Sequence, residues 1–339
     1  VPIPLGTKRV DVVAWQAILT VPIFVWLYGW QPIDRVEWRT MIAAPFTVAL
    51  EPAQQFLYGS PFTHLAGAYY VRQGLDADQA FWIVHGLGLI LLAFALFRFL
   101  VERCGADRWA SGALVLAGSP MLLTIVSWIG KDDTYLLAFY LLMLRSSSEF
   151  TRMLLCASMV ICHRELSLAM LAAHALIRGD AIAVAIGAAA GLTLSFTYTN
   201  ALLNQPPLTR VDYLLQHLSG LITASLAHPV ARLAATLGPF WLYVLRPSAL
   251  TARRLVVLAG AGVLAGMTVD FTRVFVLAAS PLIFSVTEDL VAELRERDGI
   301  ALFGWRVPVA VLGLLAFAQV QIAGNRLSWI QGFSWSIGS

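Results

Sequence analysis

Three charged clusters interrupt apolar stretches of this chain: Gly130-Lys131-Asp132-Asp133, His163-Arg164-Glu165 and Asp270-Phe271-Thr272-Arg273. A charge near a bilayer centre costs about 2.5–3.5 kcal/mol on insertion scales, so such residues persist by pairing, by lining a wet cavity or by carrying function. Asp132 and Asp133 are carboxylates able to act as a general base or to hold a cation. Adjacent residues point to different helix faces, so one is expected to meet a cavity while the other caps the helix that starts at Thr134. Arg164 offers a planar fork for phosphate or carboxylate, with Glu165 as its neutralising partner or a base and His163 as a donor to phosphate oxygens. The competing reading of that trio is a structural ion pair with another helix. Asp270 and Arg273 are three apart, neighbours on a helix face, so pairing with each other competes with presenting the guanidinium to an anion.

The background around these clusters sets the class. Of 339 residues, 59% are hydrophobic and only 13% charged, with mean hydropathy +0.74, whereas a soluble domain carries about 25% charged residues. The expectation is an all-α polytopic membrane protein, one integral membrane domain over 1–339. A net charge of +3 fits basic cytoplasmic loops and gives no case for nucleic acid. Cys104, Cys156 and Cys162 form no even framework and no CxxC, and read as packed thiols. No His/Cys spacing resembles a zinc site, and no Walker or GxGxxG element is present. No protein-held metal is expected, although the carboxylates would accept a divalent cation. Lys8-Arg9 precedes an apolar stretch with no small-residue cleavage site after it, so no cleavable signal peptide is expected.

Apolar runs place spans near 11–29, 80–100, 110–129, 134–146, 153–177, 181–201, 233–246, 255–269, 273–290 and 306–323. This predicts about ten to eleven transmembrane helices, several of them short or broken, because a straight span needs roughly 20 residues. Lys/Arg placement orients them. With Lys8 and Arg9 in the cytoplasm, the basic loop around Arg103 and Arg108 lies inside, as do Arg145 and Arg152. A break at His163 then puts Arg178, Arg246, Arg253 and Arg254 inside too, and all three charged clusters outside. Segments 31–79 and 202–232 become outer loops, each with an interfacial helix: the first over 41–50, the second with Tyr213, Leu214, Leu218 and Leu221 at helical spacing. The setting expected is a multi-pass inner (plasma) membrane, with the site facing the periplasm or exterior.

Other candidates are weaker. Glu51 and His64 lie in the first outer loop, with Asp34 and Glu37 as alternative acids; Asp212, His217 and His228 belong to the second. His85 and His174 sit on apolar helices and read as packed or hydrogen-bonded side chains. Trp26, Trp30, Trp38, Trp329 and Trp335 fit an interfacial belt.

An acid in a long first outer loop is followed by Tyr58-Gly59-Ser60-Pro61-Phe62 and a span pair. Next comes Ser119-Pro120 within a span that ends at Lys131-Asp132-Asp133. Over roughly residues 10–150 this order resembles the GT-C superfamily of integral membrane glycosyltransferases. The resemblance implies transfer of a sugar from a polyprenyl-phosphate carrier, within membrane lipid, to an acceptor at the outer face. It makes Glu51 or Asp34 the first-loop acid and Asp132 or Asp133 the second. Lys131, His163, Arg164, Glu165, Asp270 and Arg273 become candidates for binding the substrate and its phosphate. The chain departs from that pattern in lacking the paired first-loop acids and a soluble domain after the last span. An O-antigen-type polymerase or ligase, a transporter or flippase for a lipid-linked or anionic substrate, and a scaffold subunit are the competing readings.

Overall fold

The computed structural model describes residues 12–28, 31–32, 35–43, 45, 61–106, 108–202, 215, 218–220, 223, 228–246, 248–268, 270–296, 300–302, 305–308, 311, 313–314, 321–323, 326–330 and 333–336. Glu51, Asp34, Asp212 and His217 lie outside the described residues, as does most of the second interfacial segment. The described chain is overwhelmingly α-helical. Its longer helices are α1 (Val12–Tyr28), α2 (Arg35–Ala43), α3 (Pro61–Arg72), α4 (Ala77–Cys104), α5 (Trp109–Ala117), α6 (Pro120–Ser127) and α7 (Asp133–Arg145). They continue with α8 (Glu149–Cys162), α9 (Arg164–Arg178), α10 (Ile182–Leu202), α11 (Pro229–Leu237), α12 (Ala252–Gly266), α13 (Phe271–Ala278) and α14 (Ser280–Glu296).

Two of these helices, α4 and α10, are long and apolar enough to cross a membrane; α13 and α14, bent by 59° at their junction, make a third span if they count as one. Several other apolar runs are divided. The run 110–129 breaks at Gly118-Ser119-Pro120, where the Ser119 side chain caps α6 and Pro120 occupies its first turn; proline there has no amide proton to lose. The run 233–246 holds the end of α11 and a separate helical turn at 241–244. The run 306–323 is no continuous helix: short strands occupy Trp305–Val307 and Gln321–Ala323.

The stretch 153–177 is broken at His163, as expected. The chain there turns back on itself, because Arg152 near the start of α8 forms an ion pair with Asp180 just beyond α9. The Ser167 hydroxyl donates to the Met159 carbonyl at 2.5 Å and ties the two arms together at the tip. Gly179 ends α9 in the left-handed conformation at φ 77°, which only glycine adopts without strain. Along the other flank α8 lies tightly against α10. A Cβ at Gly187 would stand 2.4 Å from the Met153 carbonyl oxygen, and one at Gly191 2.7 Å from that of Ala157. This Gly-x-x-x-Gly pair lets two backbones approach as small residues do between membrane helices.

The hairpin gives the bundle two chemically different ends. At one end carboxylates meet arginines: Glu102 with Arg98 and Arg145, Glu288 with Arg178 and Arg103, Glu293 with Arg246, and Asp289 with Arg254. The other end carries the tip at His163, the start of α7 and the start of α13. The 13 residues of α7 and the 15 of α12 separate the two ends by about 20 Å at 1.5 Å per residue. Between them lies a core in which Phe99, Tyr140 and Phe284 join α4, α7 and α14, with Phe99 and Phe284 centroids 5.2 Å apart. Trp38 is also core, 1% exposed and edge-on to Phe81 at 5.3 Å, so it is no part of an interfacial belt, whereas Trp26 is 77% exposed. With Met41 and Ile42 equally buried, α2 packs against α3 and α4; most of the expected interfacial stretch 41–50 lies outside the described residues.

Candidate functional site

The segment before α7 is built around a tight change of direction. The two-residue strand β2 (Trp128–Ile129) pairs in parallel with β1 (Gln31–Pro32), which carries the first loop to this end of the bundle. Gly130 then turns the chain at φ 117°, and α7 begins. Asp132 occupies its N-cap position yet makes no side-chain cap. The expected capping role therefore fails for a specific reason: the carboxylate is turned away to accept the Thr63 hydroxyl, 2.5 Å from Oδ1. Its Oδ2 is buried and has no hydrogen-bond partner among the described residues.

Asp133 points elsewhere, as neighbouring helix positions must. It receives the Arg273 fork in bidentate fashion, Nε to Oδ2 at 2.5 Å and Nη2 to Oδ1 at 2.7 Å. Both partners are almost wholly buried, at 2% and 5% side-chain exposure. Asp270 stands farther off, its Oδ2 3.5 Å from Arg273 Nη1. Arg273 thus joins α7 to α13, with pairing inside its own helix the lesser contact. A fork–carboxylate pair of this kind is among the strongest hydrogen-bonded arrangements in proteins.

Two further residues belong to this neighbourhood and carried no sequence signal. Thr63 is one threonine among many until the fold sets it against Asp132. Arg232, in the amphipathic α11, is buried and lies with its guanidinium 4.8 Å from the centroid of Phe271, inside the Asp270–Arg273 cluster.

The second cluster divides. His163 caps α9, its Nδ1 accepting the Leu166 amide at 3.4 Å. It lies 3.8 Å from Glu165. Cys162 beside it is within electrostatic reach of Asp132, and α9 packs against α13, so the hairpin tip adjoins the Asp–Arg group. Arg164 instead pairs with Glu165 at 2.9 Å and stacks over Phe196 of α10 at 4.9 Å. Its guanidinium is committed locally.

Lys131 is half-buried and its charge acts on Asp132. His64 is buried next to Thr63; His85 sits among the rings of Trp38 and Phe81; His174 shares a 3.3 Å hydrogen bond with Tyr140. Among the described residues no three His, Cys, Asp or Glu side chains gather into a metal-holding group.

The electrostatics follow from burial. Asp132, in the turn before α7, has its carboxyl pushed up from 3.8 to about 8, first by loss of solvent and further by the charge of Asp133; the Thr63 hydrogen bond, Arg273 and Lys131 oppose the rise. The arrangement therefore offers an acid with one buried oxygen, without a hydrogen-bond partner among the described residues, beside a guanidinium already shaped to an oxyanion. Such a pair can take a proton from one group and hold negative charge on another.

Comparison with known protein families, characterised proteins and solved structures finds no match for this chain.

Proposed function

We propose that this chain is a polytopic membrane glycosyltransferase of about ten or eleven spans. In this reading it moves a sugar from a polyprenyl-phosphate carrier to an acceptor hydroxyl at the outer face of the inner membrane. The observation that carries the reading is the convergence of Asp132, Asp133, Asp270 and Arg273 at one end of the bundle, with one buried carboxylate oxygen lacking a hydrogen-bond partner among the described residues. Asp132, once ionised, removes the acceptor proton; the oxygen attacks the anomeric carbon, and the bond from that carbon to the phosphate oxygen breaks. The polyprenyl phosphate leaves with the electron pair, its charge received by Arg273 and by Arg232 close by. Asp133 keeps the Arg273 fork aligned until a phosphate competes for it. The paired strands β1 and β2 support a role for the first loop, whose acids Asp34 and Glu51 belong to the same reading.

The test is reconstitution in vesicles with a panel of radiolabelled polyprenyl-phosphate sugars, following release of the carrier phosphate. Wild-type protein is expected to turn over at least one donor, and Asp132→Asn none. A transporter is the second reading, favoured by the mutual burial of Asp133 and Arg273 beside the bent α13–α14 pair. Anion flux across the vesicle wall without carrier release would establish it against the first.

A further inference from the structure

A second site lies at the opposite end of the molecule. A cavity of about 620 Å³ opens among α9, α12, α14 and the segment before α12, lined in part by Ser248, Thr251, Arg253, Arg254, Ser285 and Asp289. Arg254 is buried and held in place: its guanidinium donates to the Ala249 carbonyl at 3.1 Å, to the Ser285 hydroxyl at 2.8 Å and to Asp289 at 2.6 Å. Arg253 is exposed on the cavity wall and has no ion-pair partner among the described residues. The cavity therefore holds two cations against one carboxylate, in a belt where the neighbouring arginines are paired with acids.

The surroundings specify what kind of anion fits. Ile177 also lines the cavity, and the helices that frame it carry exposed apolar side chains, Leu176 on α9 and Leu255 and Val256 on α12, at 45–57% exposure. A hydrated inorganic ion makes no use of exposed apolar side chains on the framing helices, but a lipid does: its phosphate meets the arginines while its chains run along those helices. Basic pockets between membrane helices are suited to such headgroups, and Lys/Arg placement assigns this end to the cytoplasm, where anionic lipids give the leaflet its negative charge.

We infer that this cavity binds the phosphate headgroup of an anionic phospholipid, with Arg253 as the cation that the lipid neutralises and Arg254 as a fixed wall donor. This holds whatever reaction occurs at the Asp132 end, from which it is separated by the length of α12.

The experiment titrates the full-length protein in uncharged detergent with short-chain phosphatidylglycerol, short-chain phosphatidylcholine or inorganic phosphate, reading tryptophan fluorescence and melting temperature. Saturable binding of phosphatidylglycerol is expected, weakened about tenfold in Arg253→Gln and largely retained in Arg253→Lys. Arg253 is exposed, so these variants are expected to fold. Phosphatidylglycerol binding that is absent, or equal in wild type and Arg253→Gln, overturns the inference. Equal affinity for inorganic phosphate overturns the lipid assignment, and equal affinity for phosphatidylcholine overturns recognition by net charge.

Discussion

Removing the Arg273 side chain should be the most damaging single change at the Asp–Arg cluster, and the geometry says by how much. Arg273→Met leaves the Asp133 carboxylate 2% exposed with the loss of both its hydrogen bonds. Breaking a buried pair in this way costs about 3–5 kcal/mol, because one charge remains without compensation. The reverse change is milder. Asp133→Asn keeps an acceptor in place, and Arg273 still has Asp270 at 3.5 Å, so about 1–3 kcal/mol is expected, the range for a disturbed buried hydrogen bond. The double variant Asp133→Asn/Arg273→Met removes both charges and should be less destabilised than Arg273→Met alone. Unfolding in mixed micelles with increasing SDS, followed by tryptophan fluorescence, gives all three values. At 1.36 kcal/mol per decade, the Arg273→Met shift amounts to roughly a hundredfold or more in the unfolding equilibrium. Additive single effects, or an Arg273→Met protein within about 0.5 kcal/mol of wild type, would refute the pairing as a buried and coupled one.

Three other outcomes are expected. Asp132 keeps its proton in the folded state up to about pH 8, above its ordinary 3.8; the folded form thus binds more protons than the unfolded one between those values. Its contribution to stability is full below about pH 4 and is lost as pH rises through 8, so Asp132→Asn should flatten that part of a stability–pH profile, and an unchanged profile would contradict it. Gly191→Leu should force α8 from α10 and destabilise by about 1–3 kcal/mol or more, measured in the same micelles; a neutral result would show that the close approach is dispensable. Cys156 and Cys162, both fully buried, should resist maleimide in the folded protein and react once it is unfolded by SDS, with mass spectrometry counting the adducts.

The all-α class was legible from the long apolar runs, whereas the number of spans was not: among the described residues two helices are long and apolar enough to cross a membrane, or three if the bent pair counts as one. The three polar residues at His163 left one helix or two open, and keeping Arg246, Arg253 and Arg254 on the inner side favoured the break that the structure shows. What sequence could not supply was depth. Trp38 reads as a belt residue from its type and loop position, yet α2 packs inward and buries it. Pro120 marks a helix start as readily as a kink, and only the Ser119 cap decides between them. At the site, the acids and Arg273 announce themselves by their cost in lipid, whereas Thr63 and Arg232 matter through long-range contacts with no local pattern. Arg164 shows the converse: a conspicuous charge can be satisfied by the residue beside it.

The arms of the α8–α9 hairpin have 14 and 15 residues, hence about 21–23 Å of rise, against a hydrocarbon thickness of about 30 Å. A hairpin seated with its arginines at one headgroup layer leaves its tip some 7–9 Å short of the other. Around His163 the leaflet would have to thin by that distance for the protein's surface to meet it without exposing the buried tip to lipid tails. The transmembrane potential would also fall across a thinner insulating layer there, making the local electric field about a third stronger than in the surrounding bilayer.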